Sequence, residues 1–141
     1  MYKLEELADK IKHLEYVVLR NWEDLPNSLG TPGHEDLDLF VSEKDAGDLY
    51  DILSDFDDFE KVDVWKPSDK YLPEKLSIDM TKHVRMYNGF KIPEKLNSFL
   101  SLYYHASVHK EKNLYEDKLK RMFLEIYPAV KCIDDGVGHY V

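Results

Sequence analysis

The chain has 141 residues, 43% of them hydrophobic and 13% aromatic, which is enough apolar material for one buried core and predicts a single compact domain over residues 1–141. Its net charge of −9, from 28 acidic against 19 basic residues, opposes the phosphate neutralisation on which general nucleic-acid binding depends. No apolar run approaches the ~20 residues that span a bilayer, the N-terminus MYKLEELADKIKHLEYVVLR lacks the pattern of a secretory leader, and the lone Cys132 excludes an intrachain disulfide and a cysteine-based zinc site. The expectation is a cytoplasmic protein in a reducing environment.

Residues 3 to 14 place Leu4, Leu7, Ala8, Ile11 and Leu14 at steps of three and four, which predicts an amphipathic helix. The run Tyr16 to Leu19 suits a strand buried on both faces. From Asn21 to Glu35 two prolines and two glycines mark a long loop. Asp36 to Val41 then alternates, with Asp36, Asp38 and Phe40 on one face of a strand and Leu37, Leu39 and Val41 on the other. Ser42 is placed as the N-cap of a helix running to Ser54. Phe59 to Trp65 reads as a strand, and so does Leu76 to Met80, with Leu76, Ile78 and Met80 inward and Asp79 on the opposite face. A strand pair turns at Asn88-Gly89, and Pro93 suits a helix start. Two helices follow, one with the stripe Leu96, Phe99, Leu100 and Tyr103, the other with Tyr115, Leu119, Met122, Phe123 and Ile126. This order predicts an α/β (α+β) domain, a mixed sheet flanked by helices over a core of residues 15–92 with a C-terminal helical segment over 93–127.

Two aspartates one residue apart on a strand project from the same face about 7 Å apart, a spacing from which both can bind a hard cation such as Mg²⁺. The same alternation also describes an edge strand whose polar face meets water. A third aspartate, Asp79 in LSIDM, closes a three-carboxylate cluster if its strand neighbours the first; Asp63 in KVDVW is the competing choice, ranked behind it.

The stretch LRNWEDLPNSLGTPGHEDLDLFVS, followed by a helix and then LSIDM, resembles the nucleotidyltransferase fold superfamily over residues 15 to 80, most specifically in GHEDLDLFV. The resemblance implies a nucleotidyltransferase-like mixed sheet in which Asp36, Asp38 and Asp79 bind Mg²⁺ or Mn²⁺ and orient a nucleoside triphosphate for attack by an acceptor. The family carries Gly-Ser after its first strand, to hold the triphosphate. Here Arg20-Asn21 stands in that place, with Ser28, Gly30, Thr31 and Gly33 available as a substitute loop. Arg20 has two readings, as a phosphate ligand through its fork of donors or as a structural partner of Asp36 or Asp38.

His34 and Glu35 precede the pair and read as exposed loop residues. His105 and His109 stand one helical turn apart without a third ligand, and read as a solvent-facing or interface pair. Lys110 belongs to the densest basic stretch and, with His105, is a candidate to meet the triphosphate or the acceptor. There is no phosphate-loop, dinucleotide-turn or nucleophile-elbow motif. Two functions stay open: metal-dependent transfer of a nucleotidyl group, and an inactive module of the same fold that binds a nucleotide or a protein partner.

Overall fold

A computed structural model of the protein describes residues 1–23, 25–26, 36–109 and 116–137. The chain divides into two compact units, Met1–Glu94 and Lys95–Val141. The class is mixed α and β, as expected. Among the described residues no helix is long and apolar enough to cross a membrane.

The first unit opens with helix α1 (Leu4–Ile11), which buries Leu4, Leu7 and Ile11 at helical spacing. The Glu6 carboxylate accepts the Lys3 backbone N–H at 3.1 Å and so satisfies one donor at the helix start. Strand β1 (Tyr16–Val18) is buried throughout. It pairs antiparallel with β2 (Leu37–Val41), Tyr16 opposite Val41 and Val18 opposite Leu39. A 3-10 turn, Glu43–Asp45, leads into helix α2 (Ala46–Leu53), which returns the chain to β3 (Val62–Trp65), parallel to β2 and hydrogen-bonded to it. The order is β1-β2-β3, so β2 is central. Leu7, Ile11, Tyr16, Val18, Leu37, Leu39, Val41, Leu49, Leu53 and Phe56 form the core between this sheet and the helices.

Two boundaries differ from expectation. Phe59–Lys61 is a 3-10 turn, and the strand starts only at Val62. Leu76–Met80 is not a strand, because helix α3 spans Glu74–Asp79. The period explains it: Leu72, Leu76 and Met80 recur every four residues, and Leu72 and Met80 are buried, whereas Ile78 is 48% exposed. Pro73 caps the start, where its carbonyl accepts the Ser77 N–H at 2.9 Å.

Strands β4 (Val84–Tyr87) and β5 (Phe90–Pro93) form a hairpin with Tyr87 opposite Phe90. Its two-residue turn needs positive φ twice, and Asn-Gly supplies it, with Gly89 at 86° and asparagine tolerating the left-handed region better than a branched residue. Asn88 itself stands at φ 49°. Pro93 ends β5 and does not open a helix.

In the second unit helix α4 (Lys95–Tyr104) continues into a π-helical turn, His105–His109, and helix α5 spans Glu116–Val137. Leu102, Ala106 and Leu119 are its buried cluster, with Phe99 and Met122 packed against it. The stripe expected on α4 is therefore only partly right, because Leu96, Leu100 and Tyr103 are exposed. Tyr115 lies outside the described residues.

Candidate functional site

Alternation along β2 turns Leu37, Leu39 and Val41 into the helix-covered core and leaves Asp38 and Phe40 for the opposite face, which Asp36 joins one residue before the strand. Because β3 runs parallel and in register, Asp63 pairs with Asp38 and Trp65 with Phe40. Val62 and Val64 pack toward the core, so Asp63 and Trp65 extend the Asp38 face. The third carboxylate beside the Asp-x-Asp pair is thus Asp63. Asp79, expected on a neighbouring strand, instead ends helix α3.

Arg20 reaches this face from the end of β1. The Leu19 N–H donates to the Asp38 carbonyl at 2.9 Å, which carries the β1-β2 pairing one step past the ladder. Arg20 Nη1 then donates to Asp38 Oδ2 at 3.0 Å. Their side chains are 4% and 16% exposed, so this is a desolvated ion pair. Beyond it the chain turns through Asn21 at φ 57°, a left-handed conformation that asparagine tolerates better than most residues. The guanidinium lies 5.7 Å from the centre of the Tyr71 ring, and Tyr71 stacks on Trp65 with centroids 4.1 Å apart and planes at 11°. Tyr71 and Trp65 are site residues that sequence reasoning did not single out. For Trp65 the signal was there, since the alternation in VDVW puts it on the face of Asp63.

Burial pushes the Asp38 carboxyl up to about 6. The Arg20 charge and hydrogen bond oppose that rise, while repulsion from Asp63 and from Asp36 adds to it. One arginine therefore does not fully compensate the central carboxylate. Arg20 is also under-used: among the described residues its Nε and Nη2 are buried without a hydrogen-bond partner, as is Trp65 Nε1.

The oxygens of Asp36, Asp38 and Asp63 are the donor type that Mg²⁺ or Mn²⁺ takes. Asp38 is bonded to Arg20, and among the described residues no group of three or more His, Cys, Asp or Glu side chains is placed to hold a metal ion. Among the described residues the expected cluster of Asp36, Asp38 and Asp79 is not formed, since Asp79 ends helix α3.

Of the other candidates, Ser28, Gly30, Thr31, Gly33, His34, Glu35 and Lys110 lie outside the described residues. His105 is buried in the second unit, contrary to the solvent-facing expectation. Compared with known proteins, the chain matches no family model, no curated protein and no solved structure.

Proposed function

We propose that this chain is a divergent nucleotidyltransferase-type module that takes a nucleoside triphosphate at the face of Asp36, Asp38 and Asp63 and transfers its nucleotidyl group to an acceptor. The observation that carries the reading is the register of the parallel pair, which sets Asp63 beside Asp38 with Asp36 two residues away on the same face. Repulsion from Asp63 and Asp36 adds to the desolvation that raises the proton affinity of Asp38, a cost to the fold that a functional role accounts for. A carboxylate whose proton affinity lies near neutrality is suited to take the proton of an attacking hydroxyl. Asp38 has that property in the ion pair with Arg20.

The test combines thermal melting with each nucleoside triphosphate, in Mg²⁺, in Mn²⁺ and in a chelator, and detection of released pyrophosphate. A ligand that binds only the folded state raises the melting temperature by mass action. Stabilisation by a triphosphate together with pyrophosphate release is the expected result. Absence of stabilisation by any triphosphate under all three conditions refutes the reading.

A second reading is favoured by the Arg20–Asp38 bond, which gives the central carboxylate an internal cation. In that case the module binds a nucleotide or a protein partner without transfer. Stabilisation without pyrophosphate release is its signature.

A further inference from the structure

The unused donors of Arg20 share one edge of the guanidinium. Nη1, which holds Asp38, lies on the side of the side-chain stem, whereas Nε–H and Nη2–H point the same way along the opposite edge and form the side-on fork that matches two oxygens of a carboxylate or a phosphate. Burying two such donors without acceptors is costly, and the side chain is only 4% exposed. The nearby Trp65 Nε1, on the ring stacked with Tyr71, also lacks a partner among the described residues. Every unmet atom here is a donor, so the complement is an acceptor.

We infer that the Arg20 guanidinium is the seat of one phosphate group of the ligand, held side-on by Nε and Nη2 while Nη1 stays on Asp38. The inference rests on the reading of this face as the nucleotide-binding face, though not on transfer taking place. Asp36 and Asp63 repel an anion, but both are exposed, so water and salt screen them. The fork, by contrast, bonds in a desolvated place where hydrogen bonds are strongest. Asp38 stays in its ion pair with the same guanidinium. The positive charge of the seat is the guanidinium's own, so pyrophosphate is expected to bind it in a chelator.

The experiment follows the Nε–H signals of the three arginines, Arg20, Arg85 and Arg121, in the wild-type chain by nitrogen-15 NMR. Arg85→Lys and Arg121→Lys assign the Arg20 signal by elimination, without disturbing the buried pair. Inorganic pyrophosphate is titrated in a chelator, and then a nucleoside triphosphate. The Arg20 signal is expected to move in both titrations, because the fork holds a phosphate group whether or not a nucleoside is attached to it; movement with the triphosphate alone overturns the seat as a phosphate site. Arg20→Lys keeps the charge and removes the fork, and should bind pyrophosphate about 10- to 100-fold more weakly. Asp63→Asn should bind it more tightly, because a repelling charge is gone. An Arg20 signal unmoved by either ligand, or equal pyrophosphate affinity in the lysine variant, overturns the seat. Pyrophosphate binding with no pyrophosphate released from any triphosphate leaves the seat standing and removes the transfer reading, and release without an Arg20 response does the reverse.

Discussion

Asp38 imposes a pH dependence on folding stability whose sign and size follow from its surroundings. In the folded chain, burial and the neighbouring Asp63 and Asp36 outweigh the Arg20 charge and raise its pKa from 3.8 to about 6. Between those two values the folded state binds more protons than the unfolded one, so stability is greatest below about pH 4 as far as this group is concerned and falls as pH rises through 6. A rise of roughly two units corresponds to ~3 kcal/mol. Asparagine resembles the protonated acid in shape and charge, so Asp38→Asn should lack this dependence. Removing the charge also leaves Arg20 less compensated, but that offset is nearly constant with pH because arginine stays protonated. Urea unfolding of both proteins at pH 4, 5, 6 and 7 isolates the carboxyl. The difference in stability should shift in favour of asparagine by ~3 kcal/mol across the series, which is roughly 1 to 3 M in relative midpoint. A difference that stays flat from pH 4 to 7 would show that Asp38 is solvated, and that the buried pair is wrongly placed.

Asp63→Asn removes one of the causes that raise Asp38, so the carboxyl of Asp38 should titrate at lower pH when followed by carbon-13 NMR; an unchanged midpoint would separate the two side chains. Met80→Ala should cost about 2 to 5 kcal/mol because Met80 is fully buried, and Ile78→Ala less than about 0.5 kcal/mol. Equal losses in chemical denaturation would restore the strand reading of LSIDM. Gly89→Ala should cost about 1 to 2 kcal/mol, since its φ is 86° and the added Cβ meets Ala8 only at ordinary contact distance. A neutral thermal melt would mean that the hairpin turn is not of this type.

Much of the architecture was legible because it depends on period. The three- and four-residue steps of α1, the doubly buried run of β1 and the Asp-Leu alternation of β2 are local properties, and each element formed where its pattern stood. LSIDM satisfies both a period of two and part of a period of four, so its five residues alone do not decide between strand and helix. Only Leu72, outside the window, shows that the longer period wins. The stripe on α4 failed for a related reason: a helix rich in apolar residues offers more than one stripe, and packing with α5 selected Phe99, Leu102 and Ala106.

The sequence by itself determined that Asp36 and Asp38 share a face and that an arginine closes the first strand, since alternation and chain order require no partner. Which carboxylate stands beside them was a question of sheet order, and only the parallel pairing of β2 with β3 made it Asp63 and not Asp79. Tertiary structure also supplied the pairing of Arg20 with Asp38. Its contact with Asp38 spans two strands, and its burial depends on what covers both, so neither could be read from residues 15 to 41 alone.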